Sequence, residues 1–499
     1  LRRVATVPGK GGLGLPSAQD GQRGWCSSLA LTRQAVAGVA GPFFCGTGTR
    51  WQAAGLSVLM LALMLVQSGI NVTFGRFAGR YMTALQKKDT EGFYAGLRAF
   101  AGLIVTSILV GLCLGVVHAT LALKWKAALT RRLGHMYLVG GDGFGQFYEL
   151  TLSDEVDAPD QRIANEAGSF VKKALDLASG AVSNALKLIS FGGVLYAISH
   201  RVFLGTLCYV FMCTVFVMQV FGAWMTRLKQ KSLAQEATLR YSLIRVRENA
   251  ESIAFFKGGG SEWLRFQDFY NDFLATARQS ILLNQCFTTF LHSSALATFA
   301  VGPLTVGPLY LRGEAEFGDI TMASMAFNNV LTGLSFFIQR FDDFAELAVH
   351  ARRVQGLEEA LSRGAKAQAA AASGLIETIA VEELDGTSES GTLLELRELT
   401  LRTPSHGVAQ QRTLVEGLSL TLEGGNSLLI AGSSGIGKSS LLRCIAGLWR
   451  EGRGCVKRCG GGAVFFLPQK PYMFLGTLRE QLLYPRVEDL AGLGDDVVE

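Results

Sequence analysis

Charge is scarce in this chain. Asp, Glu, Lys and Arg supply 18% of its 499 residues, and hydrophobic residues supply 49%. A soluble domain carries about 25% charge. The deficit is uneven: apolar residues come in blocks, which points to a membrane protein. Also missing is any block of basic residues interleaved with aromatics. With a net charge of only +6, that argues against nucleic acid as a partner. Paired cysteine spacing is lacking too. Nine cysteines are spread along the chain, and Cys455 and Cys459 form a CxxxC with no second pair nearby. A zinc site needs four ligands at tighter spacing, so these read as free thiols in a reducing compartment.

Three runs, 51–75, 99–123 and 202–226, contain no Asp, Glu, Lys or Arg. Each exceeds the ~20 residues that cross a ~30 Å hydrocarbon core. Runs 279–311 and 320–339 add two more, the former with Gly302, Pro303, Gly307 and Pro308 to bend it. A sixth, weaker stretch is 180–199, because Lys187 sits inside it. The reading is six spans over 51–355. The connections near 124–179 and 227–278 are long and rich in Lys and Arg. By the positive-inside rule they face the cytosolic side, with both chain ends there as well. The basic 76–98 connection fits that rule poorly. Lys187, as an ionisable group within a span, is a candidate contact for an anionic substrate group; the plainer reading places it at the cytosolic interface.

Residues 1–50 carry Arg2, Arg3, Lys10, Arg23, Arg33 and Arg50 against one acid, Asp20, amid Gly, Ala and Ser. This fits an organelle transit segment or an ordinary tail. Beyond 339 the chain turns polar. Apolar residues at helical spacing over 341–361 read as a helix leaving the membrane. Residues 356–390 read as a linker, and 391–499 as a partial α/β domain.

In that domain 393–401 alternates as a strand, and 427–431 reads as a buried strand. The loop Gly432-Ser433-Ser434-Gly435-Ile436-Gly437-Lys438-Ser439-Ser440 follows, and then a helix. The spacing fits G-x-x-x-x-G-K-[ST]. Glycines let successive backbone N–H groups turn inward around phosphates. Lys438 is placed to reach the β- and γ-phosphates of ATP, and the Ser439 hydroxyl to ligate Mg2+. The helix after the loop turns its positive end toward the anion.

Further on stands Gln469, in VFFLPQKPYMFLGTLREQLLYP. Together with DAPDQRI at 157–163, RYSLIRVRENAESIAFFKGG at 240–259, EFGDIT at 316–321 and AGLWR at 446–450, this segment resembles ATP-binding cassette (ABC) half-transporters with the type 2 membrane region. That group includes the peroxisomal fatty-acyl-CoA transporters of subfamily D and SbmA/BacA-like bacterial proteins. The resemblance implies a six-span helical membrane domain followed by a P-loop NTPase domain. It implies that Gln469 touches Mg2+ and the attacking water. It also implies a homodimer, or a heterodimer with another half-transporter, in an organelle membrane such as that of a plastid or peroxisome. The cargo it implies is an amphipathic solute such as fatty-acyl-CoA. Two departures stand out. From 391 to 434 there is no Phe, Tyr or Trp to stack on adenine. The family's signature sequence and catalytic acidic strand do not occur in the sequence, so it reads as a truncated half-transporter. The rival readings are a membrane-anchored nucleotide-binding regulator that does not hydrolyse, and a passive channel.

Overall fold

The computed structural model describes residues 36–46, 48–140, 146–153, 156–198, 200–372, 378–384, 391–403, 412–459, 464–467, 472–473 and 475–484. They form two units, Leu1–Gly134 with Ala158–Glu358, and His135–Asp157 with Glu359–Glu499.

The first unit is helical. A short apolar helix, α1 (Val36–Cys45), lies within the stretch read as a tail. It is followed by α2 (Arg50–Gln86) and α3 (Thr90–Leu138). Next come α5 (Pro159–Gln161), a π-turn at Arg162–Glu166, and α6 (Ala167–Ile198), with α4 (Phe147–Ser153) in the other unit. The chain continues through α7 (His200–Val217), a second π-turn (Met218–Gly222), α8 (Ala223–Glu248), α9 (Ala250–Phe255) and α10 (Gly259–Leu311). It closes with α11 (Phe317–Gln339) and α12 (Phe341–Ala372). Among the described residues, five helical stretches are long and apolar enough to cross a membrane: Arg50–Gln86, Thr90–Leu138, Pro159–Ile198, Phe203–Glu248 and Gly259–Leu311.

The spans run far past the bilayer. About 20 helical residues suffice to cross it, whereas α3 has 49 and α10 has 53. The basic stretches read as connections are therefore largely continuations of these helices. The turn between α2 and α3 is equally tight, with Lys88 in the left-handed region. Nor does α10 break at its prolines: Pro303 and Pro308 lie inside one unbroken helix. A membrane helix tolerates the lost hydrogen bonds when neighbours cover them. Gly302 serves packing here, since a Cβ on it would come within 2.0 Å of Ser324 Oγ on α11.

The stretch expected at 320–339, α11, is a helix of 23 residues but is not among the five. Its buried residues line one face. Ala323, Ala326, Phe327, Val330 and Leu331 are buried at i, i+3, i+4, i+7 and i+8, one continuous stripe. The helix packs against α2, α6, α7 and α10. Of its two asparagines, Asn328 is exposed and Asn329 half-buried; the Asn329 amide donates to the Met325 carbonyl at 2.9 Å.

A second core forms where α1, α3, α6 and α12 meet. Val39, Phe43, Trp125, Phe170, Val171 and Ala351 are buried there. The Phe43 ring stacks on Trp125 at 5.9 Å. Ion pairs line the same contact. Lys173 binds Asp343, and also Glu346 at 2.9 Å. Arg353 binds the buried Glu166 at 2.7 Å.

The second unit holds a four-stranded sheet. Its strands are β1 (Ala380–Leu384), β2 (Thr392–Arg402), β3 (Thr413–Glu423) and β4 (Gly452–Cys459), in the order β1-β4-β2-β3. β1 runs parallel to β4, and the other pairs are antiparallel. The strand expected at 393–401 is β2. The expected linker 356–390 instead contains the second half of α12 and β1. One layer of helix covers the sheet: α13 (Lys438–Ile445) places Leu441, Cys444 and Ile445 against Leu396, Leu399, Leu401 and Val456. A short helix, α14 (Leu478–Leu483), is closed by a capping box between Thr477 and Glu480.

One expectation fails here. Residues 427–431, read as a buried strand, adopt none, and neither do residues 464–467. A strand is held by ladders along its edges, and no described residue pairs with either stretch. Leu429 is consequently 89% exposed and Phe465 87%.

Candidate functional site: a phosphate loop

The loop begins where the extended stretch after β3 ends. It turns on glycines whose backbone other residues adopt at a cost: φ is +83° at Gly435 and +111° at Gly437. Gly437 is doubly constrained, because a Cβ there would lie 3.3 Å from the Leu414 Cβ on β3. It forms the N-cap of α13, and Lys438 is that helix's first residue. From there the Lys438 ammonium folds back over the loop. Its Nζ donates to the carbonyls of Gly432 and Ser433, both at 2.8 Å. The cation is thus held over the concave side of the loop, and Ser439 is exposed in the first turn of the helix.

The anchoring lies beneath. Burial pushes the Cys444 thiol up to about 11, which leaves it an inert packing group. The Arg458 guanidinium donates to the Ile445 carbonyl at 3.1 Å, satisfying an orphan acceptor at the helix end. The Trp449 indole donates to the Arg402 carbonyl at 2.9 Å, fastening the following turn to β2. The helix is short but fixed at both ends. A glycine-rich turn, a positive helix end and a tethered ammonium suit a polyphosphate. Residues 432–440 make up the loop and the first turn of α13.

The other sequence candidates fare differently. Gln469 lies outside the described residues. Lys187 is half-buried on α6, with no hydrogen bond or ion pair to a described residue. In DAPDQRI, Arg162 donates to the Arg353 carbonyl at 2.9 Å. The Lys173, Asp343 and Glu346 cluster escaped the sequence reading, because it joins stretches some 170 positions apart.

A bundle of long apolar helices followed by a phosphate-loop α/β domain defines a membrane protein that binds nucleotide. Comparison with known proteins specifies the family. The model of the ABC transporter transmembrane region 2 matches residues 43–303, and that of the ABC transporter domain matches 415–464. The chain belongs to the ABC transporter family with the type 2 membrane region. It is 34% identical over 447 residues to an uncharacterized ABC transporter ATP-binding protein of Synechocystis, covering 89% of this chain and 65% of that one. It is 31% identical over 462 residues to the chloroplastic ABC transporter D family member 2 of Arabidopsis thaliana, covering 85% and 63%. It is 27% identical over 465 residues to a mouse lysosomal cobalamin transporter of the same subfamily, covering 88% and 74%. The chain thus spans slightly less than two thirds of the length of the first two.

Proposed function

We propose that this protein is an ATP-driven half-transporter of subfamily D, moving an amphipathic solute of the fatty-acyl-CoA kind across an organelle membrane. The observation that carries the reading is the phosphate loop, with Lys438 tethered over it, in a chain whose other unit is a membrane bundle. Lys438 holds the β- and γ-phosphates. Ser439 and Gln469 hold Mg2+, which supplies neutralisation of phosphate charge. Two such chains pair, as a homodimer or with another half-transporter, because each cassette supplies half of a composite ATP site in this family. The chloroplastic name of the Arabidopsis relative supports a plastid membrane over a peroxisomal one. The cobalamin name of the mouse relative supports a vitamin-like solute as the second cargo to try.

Nucleotide binding tests the site itself. Titration with a fluorescent ATP analogue and Mg2+ should saturate, and Lys438→Ala should weaken binding by about 10–100-fold, the scale of a lost hydrogen bond to a charged group. Unchanged binding in Lys438→Ala would remove the loop from the account.

A further inference from the structure

The helical unit contains a cavity of about 530 Å³, within the range of small-ligand sites. It lies where α6, α10 and α11 end or begin. Its walls are of two kinds. Val194, Ile198, Leu309 and Met322 make an apolar side, and Arg76, Glu314 and Asp319 bring one cation and two carboxylates.

Close packing fixes the helices that carry these groups. Gly79 on α2 and Gly318 on α11 touch backbone to backbone: a Cβ on Gly318 would lie 2.3 Å from the Gly79 carbonyl oxygen. The Gly318 N–H donates to the Thr83 hydroxyl at 2.9 Å. Arg76, Gly79 and Thr83 are spaced i, i+3 and i+7, so Arg76 shares the face of α2 that meets α11. Two contacts close the rim above: Lys87 with Glu316 at 3.0 Å, and Gln86 with the Tyr310 hydroxyl at 2.9 Å. Asp319 accepts from the Glu316 N–H at 2.9 Å, which orients it at the start of α11. Neither Arg76 nor Glu314 has an ion-pair partner among the described residues. Both are exposed, Arg76 on α2 and Glu314 in the turn between α10 and α11, so their charges are open to a ligand.

We propose that this cavity binds the head group of a zwitterionic phospholipid. The Arg76 guanidinium takes the phosphate, Glu314 and Asp319 face the head-group cation, and the acyl chains leave along the apolar side. Helix ends are where lipid head groups lie. A guanidinium suits phosphate oxygens, and opposed charges in one cavity select a ligand carrying both signs. The site is separate from the phosphate loop and needs no nucleotide.

Native mass spectrometry of the full chain, stripped of lipid and offered defined lipids, tests this. Dioleoylphosphatidylcholine should be retained in preference to dioleoylphosphatidylglycerol. Arg76→Gln should weaken retention of both by roughly 10-fold, the scale of one charge-assisted hydrogen bond. Glu314→Gln should weaken only the choline lipid, since the glycerol head offers no cation. Glu314 is exposed, so this variant carries the test if Arg76→Gln does not fold. Soluble glycerophosphocholine should not displace the lipid at equal concentration, because it lacks the acyl chains. Unaltered retention in Glu314→Gln overturns the proposal, as does equal retention of both lipids by the wild type. Displacement by glycerophosphocholine would make the ligand a free head group and overturn the lipid assignment.

Discussion

Gly437 is constrained in two ways in the phosphate loop. It combines φ of +111° with a wall formed by Leu414. Gly437→Ala must hold a left-handed backbone at a cost of about 1–2 kcal/mol or move the loop away from β3. The expected outcome is weakened nucleotide binding with a modest fall in unfolding temperature, read by titration and differential scanning fluorimetry. Binding at wild-type strength would show that the loop has slack. Cys444 makes a second residue-scale test. Its thiol is buried, with its pKa pushed up to about 11, so it should resist maleimide at pH 7.5 until the domain unfolds. The loop was legible in the sequence because its chemistry depends on local spacing. What Gly437 touches was not, since Leu414 lies on a strand that no periodicity connects to the loop.

The contact between α6 and α12 carries the element-scale prediction. Arg340, and then Lys173, hold the Asp343 carboxyl below the usual carboxylate range. A carboxylate whose pKa falls on folding adds stability above its unfolded pKa. That stability is lost as pH drops through the lowered folded value. Asp343→Asn should therefore lower the unfolding temperature in detergent at pH 7. The gap to wild type should close as pH falls below about 4, the unfolded aspartate value. A gap that stays undiminished as pH falls below about 4 would mean the side chain acts through packing. Legibility differs among the elements for physical reasons. Runs free of charge disclosed the lipid-facing helices, because hydrocarbon excludes charge wherever it is met. α11 was recognised as apolar yet falls outside the five long spans among the described residues; it carries Asp319, Asn328 and Asn329 among its apolar residues. The long helical extensions were mistaken for connections. Their polar composition suits solvent, and solvated helices and loops share it. The stretches 427–431 and 464–467 have strand composition, but strands need partners that a single segment cannot reveal.

At the scale of the whole molecule, the nucleotide unit leaves apolar residues bare. Leu429, Phe465 and Leu467 are each more than four-fifths exposed. A fragment of residues 391–499 should bind the dye ANS, self-associate, and show no ATPase above background. Measurable turnover abolished by Lys438→Ala would show that this unit is complete enough to work alone. The central claim is that nucleotide held at Lys438 drives transport. The most direct test is uptake of labelled fatty-acyl-CoA by vesicles containing the full-length protein, measured with and without ATP for wild type and Lys438→Ala. The account predicts ATP-dependent uptake in the wild type, reduced to background in Lys438→Ala. Wild-type uptake by Lys438→Ala would contradict it and leave a passive channel.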